Sequence, residues 1–207
     1  MIDLYAAATS NGIRVKIMLE ECNLAYTLNV VDIFAGAHRE PDFLAINPQG
    51  LTPAIVDRDG PDGTPLTMAQ SGAILAYLAD KTGRFGIAGA ENQPLFRERY
   101  VNILSDMGPT LSTIFAIVRS ENPHAPTQAM FEERFGGFLR VWDDALATRA
   151  NCGGEAVSIA DFAMFGTLVR CKQVTPHLME GYANIDRWYA AMEARPGVQR
   201  GLDFGQE

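Results

Sequence analysis

The segment Thr9-Ser10-Asn11-Gly12 sets two hydroxyls and a carboxamide side by side immediately before an amphipathic stretch. Such side chains cap helices, and they can also donate hydrogen bonds to an ionised atom resting at the helix N-terminus, where the dipole favours negative charge. Donors of this kind lower the pKa of an acid whose charged form they bind. A second helix start, Gln70-Ser71-Gly72, combines polar side chains with first-turn amides and suits a carboxylate. A third, Ser158-Ile159-Ala160-Asp161, has the spacing of a capping box: Ser158 meets the Asp161 amide, and the Asp161 carboxylate reaches back to the Ser158 amide. Val157 and Phe162 supply the apolar staple. Asp161 is by type capable of acid-base work, but the box assigns it to the helix. Cys22, Cys152 and Cys171 are odd in number and far apart, so neither a disulfide framework nor a CxxC motif is present, and no metal site is expected. Cys22 continues an apolar stripe and reads as core.

The elements that must position these groups follow from periodicity. Ile2 to Ala7 is an apolar run ending at the Thr9 turn and reads as a buried strand. Val15, Met18, Leu19 and Cys22 then share one helical face, with Arg14, Lys16, Glu20 and Glu21 as its polar surface. Thr27 to Ile33 is rich in Thr and Val and makes a second strand, so the opening unit is βαβ, parallel and right-handed. A polar link, Ala35 to Asp42, precedes Asn47-Pro48-Gln49-Gly50-Leu51-Thr52-Pro53 and the strand Ala54-Ile55-Val56-Asp57. Dense turn formers from Arg58 to Thr64 and an extended segment from Pro65 complete an antiparallel hairpin. The Gln70-Ser71 helix ends near Thr82-Gly83.

From about Glu91 the pattern is helical almost throughout. Phe131, Phe135, Phe138, Leu139, Trp142 and Leu146 keep one face, as do Ile185, Trp188, Tyr189 and Met192. Gly108-Pro109 should kink the long helix before them. The expected domains are residues 1–84, α/β of order βαβ-ββα, and 91–207, all helical.

The 207 residues, 47% apolar and 20% charged, suffice for a sizeable core. A net charge of -8 argues against a nucleic-acid partner, which would require clustered Lys and Arg. No apolar run approaches the roughly 20 residues that span a bilayer, and Met1-Ile2-Asp3 lacks the basic start of a signal peptide. The expectation is a cytoplasmic protein without a membrane partner.

Taken in order, the βαβ-ββα pattern, Pro53 before a strand, the Gln70-Ser71 helix start and the Ser-Ile-Ala-Asp box resemble the cytosolic glutathione transferase superfamily over nearly the whole chain. Met1-Ile-Asp-Leu-Tyr5, Thr9-x-Asn11-Gly12, Leu19-Glu20-Glu21, Asn47-Pro48 and Pro53-Ala-Ile-Val-Asp57 are most similar to the bacterial nu-type members. The resemblance implies a thioredoxin-like N-terminal domain, an all-α C-terminal domain, a homodimer, glutathione as co-substrate and a part in detoxification. It implies a cis Pro53 that exposes the Thr52 backbone to the cysteinyl unit of glutathione, with Gln70 and Ser71 on the γ-glutamyl end and His38 near the glycine end. Many nu-type members carry Glu at the position of Gln70.

Glutathione's sulfur must be held as the thiolate, the nucleophilic form. Thr9, Ser10 and Asn11 are the catalytic candidates, with Thr9 favoured, Asn11 in support and the Ser10 hydroxyl an open alternative. Tyr5 lies within the strand and no Cys occupies the turn, which argues against tyrosine-type and cysteine-type chemistry. Met107 and Leu111 are expected to line an apolar electrophile pocket. The resemblance also implies an arginine from the second domain; Arg134 and Arg140 stand near that point beside Gly136-Gly137 and read as surface charges. The leading function is conjugation of glutathione to a small hydrophobic electrophile. Alternatives are glutathione-dependent reduction of disulfides or peroxides, and a non-catalytic binding or regulatory protein that kept the fold.

Overall fold

In the computed structural model, which describes residues 1–86 and 93–205, the chain divides into two compact units. One comprises Met1–Gly86 with Ala194–Glu207, the other Ile87–Glu193. The expected start of the helical domain at Glu91 lies outside the described residues.

The first unit is built on a sheet of order β2-β1-β3-β4, with β1 Ile2–Ala6, β2 Tyr26–Val30, β3 Ala54–Asp57 and β4 Leu66–Ala69. β1 pairs parallel with β2 and antiparallel with β3, and β3 pairs antiparallel with β4, as the βαβ and hairpin patterns require. Helix α1, Ser10–Cys22, makes the parallel crossover. The second strand is shorter than its apolar pattern suggested. The Asp32 carboxylate accepts the amides of Phe34 and Ala35, each at 2.9 Å, and this turn ends the extended run before Ile33. The polar link also holds more structure than expected: a 3-10 turn at Ala37–Arg39 and a short helix, α2, Pro41–Ile46, which Pro41 opens and Phe43 anchors in the core. Helix α3 runs Ser71–Thr82 and stops at Gly83, whose φ of 63° is the left-handed value that glycine accommodates.

The polar side of α1 is not a solvent surface. Helix α9, Pro196–Leu202, packs along α1, which reassigns the end of the chain from the expected helical domain to this unit. Gly201 makes the approach possible, since a Cβ there would lie 2.7 Å from Ile17 Cα. Lys16 is 5% exposed and donates to the carbonyls of Arg200 and Asp203 at 2.6 and 2.5 Å. Burial pulls its pKa below the usual lysine value, and Glu20 and Asp203 pull the other way. Arg195 grips Glu21 through two nitrogens, and Arg200 Nε meets Glu20 at 2.7 Å.

The second unit is helical: α4 Gln93–Asn102, α5 Gly108–Val118, α6 Ala125–Ala147, α7 Ile159–Val174 and α8 Ala183–Glu193. Helix α7 is buried on nearly every side, its Phe165 packing against Trp188 and Tyr189 of α8, and Phe135, Leu139, Trp142 and Ile185 are also in the buried core of this unit. The distortion expected at Gly108-Pro109 takes the form of a π turn, Ile103–Met107, which joins α4 to α5 and absorbs the missing proline N–H. The continuous helix Pro94–Val118 is long and apolar enough by length and composition to cross a membrane, so the expectation that no run reaches that length is corrected. Its polar residues are interspersed rather than absent, and Ile103, Met107, Leu111 and Ile114 turn inward from it.

Candidate active site

Strand register brings three loops to one edge of the sheet. Tyr5, near the end of β1, pairs with Ala54 at the start of β3, and Ala54 pairs in turn with Ala69 at the end of β4. The chain beyond β1, the chain before β3 and the chain beyond β4 therefore emerge together. They carry Thr9-Ser10-Asn11, Thr52-Pro53 and Gln70-Ser71 respectively.

Thr9 is the N-cap of α1, with extended φ and ψ, and its Oγ1 accepts the Gly12 amide at 3.2 Å. That bond occupies an oxygen lone pair and leaves the hydroxyl hydrogen for a second partner. Gly12 is required there, because a Cβ would come within 2.0 Å of the Ala7 carbonyl oxygen. The first-turn amides have no carbonyl above them within the helix, and the first turn of α1 holds no acidic side chain. Asn11 is exposed, Thr9 and Ser10 partly so. The result is a cluster of donors open to an anion.

At the next helix start, Ser71 is 7% exposed and its hydroxyl donates to Asn11 Oδ1 at 3.3 Å, joining the first turns of α1 and α3. Gln70 adopts φ 69° and ψ 103°, a left-handed backbone for a residue with a full side chain, at a cost of order 1–3 kcal/mol. Its Nε2 donates to Gln49 Oε1 at 3.2 Å. Gln49 sits on the turn that buried Asn47 shapes by donating to the Leu51 carbonyl at 2.6 Å and accepting the Gln49 amide at 3.2 Å. Two residues past Gly50 the Thr52–Pro53 bond is cis, the form implied by the family resemblance. His38 lies on the 3-10 turn against this loop, where a Cβ on Gly50 would be 3.0 Å from the His38 carbonyl oxygen. His38 Nδ1 is buried and makes no hydrogen bond among the described residues. Gln49 was not singled out by sequence, because a glutamine on a turn carries no spacing signal of its own.

The remaining candidates lie elsewhere. Met107 and Leu111 are 0% and 1% exposed, in the core of the helical unit. Arg134 is exposed and stands 3.7 Å from Asp106, and Arg140 is an exposed side chain on α6. The open cleft in the helical unit, about 960 Å³, runs between α4 and α6 and is lined by apolar Leu95, Val101, Phe138, Val141 and Trp142 together with Asn102 and the charged Arg97, Glu98, Arg99 and Asp106. Asp161 forms the capping box with Ser158 and in addition accepts the Cys152 amide at 2.7 Å and Trp188 Nε1 at 2.9 Å, which confirms its place in the helix frame. All three thiols are buried. Burial pushes Cys22 up, Cys171 up to about 11 and Cys152 well above the usual thiol value, so none presents a thiolate at neutral pH. Among the described residues no cluster of His, Cys, Asp or Glu could hold a metal ion.

This arrangement, a mixed four-stranded sheet with a cis proline at one end and a mostly helical second unit, is the glutathione transferase fold. Residues 10–81 match the model of the glutathione S-transferase N-terminal domain, and residues 119–191 match that of the C-terminal domain. The chain belongs to the glutathione S-transferase family. It is 32% identical over 209 residues to the disulfide-bond oxidoreductase YfcG of Escherichia coli, covering 98% of this chain and 94% of that protein. A glutathione transferase family member from Pseudomonas fluorescens, solved with two glutathione molecules bound, superposes with a TM-score of 0.92 at 30% identity, over 97% of this chain and 92% of that one. A glutathione transferase from Pseudomonas putida, solved with one glutathione disulfide per subunit, gives 0.88 at 28% identity, over 99% and 92%.

Proposed function

We propose that this protein binds glutathione along the sheet edge just described and holds its sulfur as the thiolate at the first turn of α1. The observation that carries this reading is the open donor cluster: Thr9 keeps a hydroxyl hydrogen to give, Ser10 adds a second, and the uncompensated N-terminus of α1 favours negative charge. The Thr52 backbone takes the cysteinyl unit, the start of α3 at Gln70 and Ser71 takes the γ-glutamyl carboxylate, and His38 faces the glycine end. With every protein thiol raised and buried, glutathione supplies the nucleophile.

The thiolate attacks the electrophilic carbon of a small hydrophobic substrate and displaces its leaving group or adds to its double bond. Met107 and Leu111, expected to line its pocket, are enclosed in the helical core and lie behind any surface such a substrate meets. A second reading is favoured by the disulfide-bond oxidoreductase relative and by the neighbours that hold two glutathiones or glutathione disulfide. In it the thiolate attacks a disulfide sulfur and expels one thiol. A second glutathione then resolves the mixed disulfide, giving glutathione disulfide and the second thiol. The protein acts as a cytoplasmic homodimer, and the cleft of α4 and α6, with Val101 54% and Val141 68% exposed, is the surface that pairing covers.

One panel tests these readings. Purified protein is assayed for glutathione retention, then for turnover of a chlorinated aromatic, a hydroperoxide and a small disulfide. Retention at millimolar glutathione with aromatic turnover supports conjugation, and disulfide turnover that far exceeds it moves the assignment to the second reading. No retention at millimolar glutathione sinks both.

A further inference from the structure

We propose that α9 is a releasable clamp on α1, so that docking of α9 and binding of glutathione at the first turn of α1 reinforce each other, a coupling that rests on the glutathione reading above. Helix α1 is the principal neighbour of α9. Their close contacts fall on Lys16, Ile17, Glu20 and Glu21. The donors read as the sulfur site, Thr9 to Asn11, precede Lys16 by five residues or more, about 7 Å along the helix axis. The two partners therefore grip one helix at separate places.

A 13-residue helix is marginal by itself, so α1 owes its persistence to what covers it. Ile17 is 0% exposed, and Gly201 comes so near that a Cβ there would lie 2.5 Å from Ile17 Cγ1. Without α9, Ile17 and the buried Lys16 and Glu21 would face water, and α1 would fray. Fraying dissolves the first turn, because the Thr9 cap on the Gly12 amide and the free amides beside it exist together only in the formed helix. Apparent affinity then falls with the fraction of formed helix. By linkage, a ligand that binds only the formed helix strengthens α9 docking by the same factor.

The grip of α9 is chiefly polar, which is what makes it releasable. Lys16 caps the carbonyls of Arg200 and Asp203 at the end of α9 and lies 5.4 Å from the centre of the Phe204 ring. Arg195 pairs with Glu21, and Arg200, half exposed, pairs with Glu20. Within the helix itself Val198 is the one fully buried apolar side chain. Exposed pairs of this kind contribute little each, so α9 can open while the sheet stays folded.

The test is hydrogen–deuterium exchange on the full chain, with and without saturating glutathione, beside calorimetric titration of glutathione. In the wild type, glutathione slows exchange of the α9 amides about fivefold or more. Gly201→Ala, which lifts α9 off Ile17, speeds exchange in α9 and in the first turn of α1, leaves α7 as it was, and weakens glutathione binding by up to the same factor. Lys16→Met keeps the buried stem, removes the donors to the two carbonyls and acts in the same direction to a smaller extent. The coupling is overturned if α9 exchange is indifferent to saturating glutathione, or if a variant with released α9 binds glutathione as tightly as the wild type. The wild-type comparison decides by itself should either substitution prevent folding. A wild type that retains no glutathione at millimolar ligand overturns the glutathione reading, and this coupling with it.

Discussion

Two helix starts in this molecule use nearly the same residue types to opposite ends. At α7, Ser158 and Asp161 face inward: the carboxylate takes the amides of Ser158 and Cys152, the Ser158 hydroxyl and the Trp188 indole N–H. At α1, Thr9 accepts one local amide and stops, so its hydroxyl hydrogen, the Ser10 hydroxyl and the first-turn amides remain available beside an exposed Asn11. The first arrangement closes on itself and is buried with 0% exposure at Asp161. What separates a structural cap from a binding site here is whether the donors and acceptors balance within the protein. Substitutions should divide accordingly, with stability lost at the closed start and ligand chemistry lost at the open one.

The largest effect is expected at Asp161. Asp161→Ala strands the amides of Cys152 and Ser158 and the Trp188 N–H in a dry interior, at a cost of about 3–5 kcal/mol. Urea unfolding followed by circular dichroism measures it. A variant that kept wild-type stability and lost turnover would break the distinction, because Asp161 would then be a catalytic acid.

A closed carboxylate in the other unit gives a pH-dependent version of the same test. Asp57 is fully buried and accepts Tyr77 Oη at 2.7 Å, the Asp59 amide at 3.0 Å and Lys81 Nζ at 3.0 Å. Burial pushes its pKa up, but these partners outweigh it and hold the carboxyl below its ordinary value of 3.8. A carboxyl whose folded pKa is depressed contributes stability that is fully present above the unfolded value and is lost as pH falls through the folded one. Acid unfolding of the wild type should therefore steepen below about pH 4. Asp57→Asn should lower stability by about 1–2 kcal/mol at neutral pH and flatten that limb of the profile. An unchanged acid limb would show that Asp57 is not among the groups that set it.

The open start is predicted to behave in reverse. Thr9→Ala removes one cap and lowers stability by only about 1 kcal/mol. Its effect on chemistry is larger in proportion: losing a preorganised donor to the reacting sulfur should cut turnover about tenfold or more and raise the pKa of the bound thiol. Thr9→Ser keeps the donor and should retain most activity. A loss of stability without a shift in the thiol titration would reclassify Thr9 as a cap alone.

The contrast between the two starts was only half legible in the sequence. The Ser158–Asp161 box has fixed spacing and a local partner set, so its geometry follows from four residues. The strand order and α3, with its glycine stop, were likewise readable, because hydrophobic period and turn residues are local. Long-range closure was not. Lys16 and Glu21 have the spacing of a solvated face, yet α9 returns from the far end of the chain to cover that side of the helix. The traces of this in the sequence are Gly197 and Gly201, which have no Cβ to strike Glu21 and Ile17. Strand β2 ended early for a similar reason of detail, an Asp32 side chain that captured two amides. The binding edge itself was legible as residues but not as a set. Register joined Thr9, Pro53 and Gln70, and side chains no pattern marks, such as Gln49, filled the spaces between them.

Gln49 offers the smallest effect and the finest test of the comparison. Both it and Gln70 are exposed, and an exposed amide pair at 3.2 Å contributes little to folding, so Gln49→Ala should change stability by less than about 0.5 kcal/mol. The Gln70 backbone, however, is held at a φ that few non-glycine residues adopt, and its side chain has Gln49 as a partner. Releasing that partner lets the Gln70 amide swing, which should weaken glutathione binding about two- to threefold, read by isothermal titration. If stability falls instead and affinity holds, this edge is a closed structural feature like the start of α7, and the open site narrows to the first turn of α1 and Ser71.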